Sequence, residues 1–209
     1  VTTFVYYLTV RYISVSIAIV LLMQSVWMEV VFDALFNKTK PSLIKILAVL
    51  VVLIGTLLAT DVFFSEVRLD WRGIALGLLA ALSYSITILA TNRVGVGLAP
   101  ATRSKWMVVG AFILVSLVTI PFLMKGFQWE ILYSWGLFFG FFGAILPPLL
   151  LNYAMPKINL GIGAIITSME LPVAVTMAYF LLHESVNGYQ WMGIILILLA
   201  IAAMNSKKI

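Results

Sequence analysis

Apolar runs of bilayer-spanning length follow one another along almost the whole chain, with only short polar stretches between them. Hydrocarbon offers no partner to a backbone N–H or C=O, so such runs must pair their own backbone groups and form helices. The alternation expected of barrel strands is missing. Of 209 residues, 63% are hydrophobic and only 10% charged, with a mean hydropathy of +1.13. That leaves too few charges to clothe a soluble domain. The expected fold class is therefore an all-α polytopic membrane protein.

The formal charge of +5 and a pI near 9.5 would suit a nucleic-acid binder, but the basic residues sit in short loops between spans. Topogenic charge explains them, and no nucleic-acid partner is implied. Without Cys the chain has no disulfide, thiolate metal site or cysteine nucleophile. HExxH, GxSxG, Walker A and a complete GxGxxG are all absent, so no cofactor or metal is expected.

Residues 1–9 read as the tail of a helix. Full spans are predicted at 14–36, 43–60, 73–92, 105–124 and 131–153, followed by a terminal pair within 160–204. That makes seven full spans and a partial one, about seven and a half. If the spans alternate, Lys38, Lys40, Lys45, Arg93, Arg103, Lys105, Lys157, Lys207 and Lys208 share one side. The other has Arg11, Arg68, Arg72 and Lys125. The richer side is cytoplasmic by the positive-inside rule, which puts the C-terminus inside.

A shift of 146 residues pairs Tyr7 with Tyr153, Arg11 with Lys157, Ala18-Ile19 with Ala164-Ile165, Met23 with Met169 and Gln24 with Glu170. After a slip of one residue, Ala48 meets Gly193 and Gly55 meets Ala200. Arg11 and Lys157 fall on opposite sides, so the two copies are inverted, as in many secondary transporters. The organisation expected is the end of a first repeat at 1–60, an external loop at 61–72 and a second repeat of five helices at 73–206. Val1 then corresponds to Pro147, so an N-terminally truncated chain is expected, with ten helices when intact.

Near the end of the chain, Glu170-Leu171-Pro172 interrupts an apolar helix, Leu182-His183-Glu184 forms a hairpin, and Gln190-Trp191-Met192-Gly193 opens the last helix. This succession resembles the EamA repeat of the drug/metabolite transporter superfamily, which usually has Gly where His183 stands. The resemblance implies a permease that exports small metabolites such as amino acids from a bacterial cytoplasm, across the inner membrane. The partners implied are a small-molecule substrate, protons as a coupling candidate and the lipid bilayer. A homo-oligomer is compatible with it.

Glu170 is expected about midway along its helix, at a depth where a carboxylate is costly and usually faces a cavity. It could take a proton or a substrate amine, or simply bond the backbone opened by Pro172. Gln24 is its counterpart, with Trp27 one turn on; the pair suits an amine or a ring, or else makes an interhelical hydrogen bond. Glu29 and Asp33 share a face near the cytoplasmic end. There they form a rim salt bridge with Lys38 and Lys40 or a vestibule that collects cations.

Ser83, Tyr84 and Thr87 form a polar stripe, and Asn152-Tyr153 lie late in another span. Ser83, Tyr84 and Asn152 are candidates for substrate contact, against packing or bonds back to the helix. Tyr179 suits a cavity or the interfacial belt, and Trp106, Trp129 and Trp191 the belt. Gly73/Gly77 and Gly136/Gly140/Gly143 offer close helix contact, and Pro147-Pro148 a helix break like that at Pro172. Two rival functions remain at this point, a membrane scaffold that does not transport and an intramembrane enzyme. Against the enzyme, no nucleophile or metal set converges.

Overall fold

The computed structural model describes residues 1–38, 40–60, 70–123, 130, 135–181, 183 and 186–206. The calls on Glu184, Trp129, Arg68, Lys125, Lys207 and Lys208 lie outside them. Among the described residues every regular element is helical. In order these are α1 (Thr2–Val10), α2 (Val15–Leu22), α3 (Ser25–Asn37), α4 (Leu43–Ala59), α5 (Trp71–Arg93), α6 (Pro100–Leu123) and a single turn, α7 (Leu137–Phe139). After α7 come a π-helical stretch, Gly140–Ile145, then α8 (Leu146–Ala154), α9 (Leu160–Thr167), α10 (Glu170–Leu181) and α11 (Gly188–Ser206).

Among the described residues, five stretches are long and apolar enough to cross a membrane: Val15–Asn37, Trp71–Arg93, Pro100–Ile120, Leu137–Lys157 and Leu160–Leu181. Two shorter apolar helices, Leu43–Ala59 and Gly188–Ala203, fall where the remaining spans are predicted. The chain is an all-α, multi-pass membrane protein.

It divides into two compact units, residues 2–89 with 159–209, and residues 90–158 with Val1. In the larger unit, two of the crossing stretches are broken. The chain turns at Met23-Gln24 between α2 and α3, and at Ser168-Met169 between α9 and α10. Pro172 lies in the first turn of α10, and its missing N–H leaves the Ser168 carbonyl without the usual donor. Leu171 N takes that carbonyl at 3.3 Å in a tighter turn, and Val173 N bonds Met169 O at 3.1 Å. The break therefore falls one turn ahead of the proline. Glu170 lies midway along the Leu160–Leu181 stretch as expected, but the break makes it the first residue of α10. The α2–α3 break has Val26 two residues on and no proline, so side chains and short turns stabilise it.

Both broken helices end alike. Lys38 after α3 and His183 after α10 have φ of 52° and 54°, the left-handed region that L side chains seldom adopt. The position where the family usually has Gly is thus one whose backbone favours it. Lys38 and His183 lie 145 residues apart, the same spacing as Ala48 and Gly193.

α4 and α11 cross antiparallel through small residues. A Cβ on Gly55 would lie 2.9 Å from the Gly193 carbonyl, and one on Gly193 would overlap backbone atoms of Gly55 and Ala59. Ala48, Val49 and Val52 share a buried cluster with Ala200, Val26, Val30, Ala164 and Ile165. Lipid tails are as apolar as leucine, so this close fit of backbones, not escape from water, holds the pair. α11 opens with a reciprocal cap: Gln190 N donates to Asn187 Oδ1 and Asn187 N to Gln190 Oε1, each at 2.9 Å. Gly73 and Gly77 on α5 sit against Ile13 and Leu21.

The smaller unit packs α6 against α8. Pro147 and Pro148 open α8 directly after the π-helical stretch, at positions where a missing N–H is tolerated. Gly140 and Gly143 have no neighbouring atom within reach of a Cβ, so the close helix contact expected there is not made among the described residues. α6 starts at Pro100, ahead of the predicted Lys105, and takes Arg103 and Ser104 into the buried interior. Arg103 donates to the carbonyls of Val94 and Asn152, both at 2.9 Å, and to that of Thr91. A planar guanidinium at two helix C-termini both caps free carbonyls and offsets their partial negative charge. Asn92 adds bonds to the carbonyls of Met155 and Ile158, at 2.6 and 3.0 Å.

Gly193→Val would drive two methyl groups into the α4 backbone. Unfolding in detergent micelles with increasing dodecyl sulfate should show a loss of about 1–3 kcal/mol or outright misassembly. Gly140→Ala, measured alongside, should change little.

Candidate functional site

The α2–α3 and α9–α10 breaks set polar side chains at mid-span in the larger unit. At the first, Gln24 Nε2 donates to the Val20 carbonyl at 3.1 Å, while Oε1 accepts from the Trp27 indole at 3.1 Å. Gln24 thus satisfies a carbonyl of its own helix and not one on a neighbour, and it positions a half-exposed Trp27. From α5, Ser85 donates across to the Ser25 carbonyl at 3.2 Å, fastening the start of α3. At the second break, Ser168 and Thr167 hydroxyls bond the carbonyls of Ile165 and Ala164, at 2.6 and 2.9 Å.

Two carboxylates stand by these breaks in opposite surroundings. Glu170 is exposed, and no hydrogen bond to it is found among the described residues. Glu29, on α3, is completely buried, and neither of its oxygens has a hydrogen-bond partner. Tyr84 lies within electrostatic reach of both, near the Thr167 side chain. Tyr6 of α1 also faces Glu170. Tyr84, Thr167 and Tyr6 thus lie in the region of these carboxylates. Ser83 makes a 3.0 Å contact with Thr2, whereas Thr87 bonds back to the Ser83 carbonyl.

Tyr6 and Thr167 escaped the sequence reading. The first lies in a stretch taken for a helix tail, and the second is an isolated Thr whose relevance only the break reveals. Asn152 belongs to α8. It is buried in the smaller unit, and its amide donates to Pro148 O at 2.9 Å and Ser104 Oγ at 3.2 Å, with Met107 Sδ at 3.1 Å. Its donors are thus occupied within that unit. Tyr153 carries the Lys157 ammonium over its ring at 3.2 Å. Tyr179 stacks edge-on against Trp191 at 5.6 Å.

Asp33 lies four residues beyond Glu29. The rim salt bridge expected from Lys38 and Lys40 is made instead by Lys45, whose Nζ is 3.0 Å from Asp33 Oδ2. The left-handed residue Lys38 turns the chain away, and Lys45 comes back in the first turn of α4. Glu29 takes no part, in contrast to the expectation that it shares that bridge. Lys45 also donates to Asn159 Oδ1 at 2.9 Å, and the same oxygen caps α9 by accepting from Gly161 N at 3.0 Å. Asn37 donates to the other Asp33 oxygen at 2.7 Å. The latch Asn37–Asp33–Lys45–Asn159 therefore ties α3, α4 and the start of α9, one turn from the buried Glu29. Among the described residues no group of three or more His, Cys, Asp or Glu side chains could hold a metal.

A double-mutant cycle on Asp33→Asn and Lys45→Met should return a coupling of about 1–3 kcal/mol in the same unfolding assay, since the pair is largely buried and shares a network. Lys38→Met and Lys40→Met should couple to Asp33 hardly at all.

No curated protein matches the sequence. The model of the EamA-like transporter family matches residues 71–206, well over half of the chain, from the first residue of α5 to the last of α11. That stretch contains the broken α9–α10 helix with Glu170 and Pro172, the Asn187–Gln190 cap and the Gly193 contact. The chain belongs to the EamA-like transporter family.

Proposed function

We propose that the protein is a secondary transporter that exports small metabolites such as amino acids across a bacterial inner membrane by alternating access of two inverted halves. The observation that carries this reading is the pair of broken helices, each with polar side chains at its break and each ended by a left-handed residue. Unwound helix at mid-bilayer is tolerated where it lines a cavity, and it is where transporters hold their solutes. The 209 residues carry no ATP-binding motif, which fits a drive supplied by a gradient.

The two-repeat reading is supported by the α4–α11 crossing. Shifting Gly55 by 145 gives Ala200, and Gly193 maps back onto Ala48. The Gly55–Gly193 contact thus maps onto Ala48 and Ala200, which share a buried cluster. A twofold axis between the two helices would produce this arrangement. The same shift relates the α3–α9 pair to α10 and α2. α3 packs along α9, whereas α2 and α10 make no comparable contact. One gate is then shut and its counterpart open, as in one end state of alternating access.

With the latch on the basic side, the cytoplasmic gate is the shut one and the C-terminus is inside. The open gate leaves Glu170 accessible. We assign Glu170, Tyr84 and Ser83 to the substrate site, with Gln24 and Trp27 at its opposite break. The Glu170 carboxylate favours solutes that bring an amine, and Trp27 and Tyr84 offer rings against which it can lie. Asn152 acts by holding α6 against α8. Neither nucleic acid nor a catalytic reaction enters this scheme.

The test compares the medium of cells expressing the wild-type protein, Glu170→Gln and an empty vector by mass spectrometry. A few amine-bearing metabolites should accumulate only with the wild type, and Glu170→Gln should lower their release by about tenfold or more, as the loss of a charge-assisted contact implies. Identical media from all three strains, with the protein present in the membrane, would contradict the proposal.

A further inference from the structure

We infer that Glu29 is the protein's coupling-proton site, occluded in this conformation behind the Asp33–Lys45–Asn159 latch. Its side chain is fully buried in a membrane-spanning helix, and no donor reaches either oxygen. An ionised carboxylate so placed would lack both water and a counter-charge, a cost that proteins avoid by neutralising the group.

The elements packed around Glu29 supply no cation to do this. α9 brings no titratable side chain between Leu160 and Thr167. α5 brings the phenol of Tyr84 and no cation. On α3 itself the nearest charge is Asp33, a negative one. α4 brings Lys45, which is committed to Asp33 and Asn159. The described residues offer no metal-binding group either. A proton on the carboxyl itself removes the charge without any further ligand.

The geometry also provides a route of release. Glu29 is shut in where α3 lies along α9, and the latch ties those two helices together one turn further on. Separating them would bring water to Glu29, whose carboxyl would then pass one proton to it and become a carboxylate. No other bond changes. Glu170, accessible in the present conformation, remains free for solute while Glu29 holds the proton. The transport role of Glu29 rests on the function proposed above, but the occluded proton itself does not.

Infrared difference spectroscopy of the full chain in lipid, exchanged from water into deuterium oxide at neutral pH, reads such a proton directly. Wild type and Glu170→Gln should both show a protonated-carboxyl C=O band that exchanges slowly, and Glu29→Gln should lack it. Lys45→Gln keeps Glu29 but breaks the latch, so the band should exchange about tenfold faster, the shift in opening that a charge-assisted hydrogen bond is worth. If Glu29→Gln does not assemble, Lys45→Gln still decides. A wild type without the band, a band that survives in Glu29→Gln, or exchange unchanged in Lys45→Gln would each overturn the assignment. A Glu29 band in a protein that releases no metabolites would sink the transport reading and leave the proton site standing.

Discussion

A carbonyl released from a helix inside a bilayer has no water to turn to, and the architecture of this protein follows from how its two breaks meet that constraint. At the α9–α10 break the proline that removes a donor sits one turn after the break it causes, and Leu171 N with the Ser168 and Thr167 hydroxyls covers the local carbonyls. At the α2–α3 break, where no proline acts, Gln24 reaches back to Val20 and Ser85 of α5 reaches across to Ser25. The same bonds that make the breaks tolerable fix Glu170, Trp27 and Tyr84 around the middle of the span.

The surrounding scaffold uses close approach of backbones because hydrophobic burial has little to offer in lipid. Gly55 and Gly193 let α4 and α11 touch main chain to main chain, which places the two broken helices on a common support. Polar clasps work at the loop ends. Arg103 and Asn92 gather free carbonyls in the smaller unit, and Asp33, Lys45 and Asn159 join three helices in the larger one. The first clasp has no carboxylate in it and is built for permanence. The second is an ion pair with a hydrogen-bonded extension, which can open without stranding a charge because water replaces its partners at the membrane surface.

Much of this was legible in the sequence because it depends on local chemistry. Spans follow from length and hydropathy, and the breaks are foreshadowed by Glu170-Leu171-Pro172 and the polar Gln24. The Gln190-Trp191-Met192-Gly193 motif turned out to be structural at both ends, a cap at Gln190 and a helix contact at Gly193. What was not legible depends on partners distant in the chain. Lys45 and not Lys38 meets Asp33, because a left-handed backbone at Lys38 redirects the chain. Glu29 and Asp33 share a helical face and a carboxyl group, yet one is latched and the other is not, a difference that no spacing rule contains. Asn152 and Arg103 looked like cavity and loop residues, yet each has a hydrogen-bond partner more than forty residues away.

The central claim is that α3–α9 and α2–α10 are two gates that close in turn. The native chain has no cysteine, so pairs of introduced cysteines can carry spin labels without background. Double electron–electron resonance would follow one label pair across α3 and α9 and another across α2 and α10, with the latch intact and in Lys45→Gln. The account predicts opposite shifts, the α3–α9 distances lengthening as the α2–α10 distances shorten. Distances that stay fixed in both pairs, or that lengthen together, would contradict it.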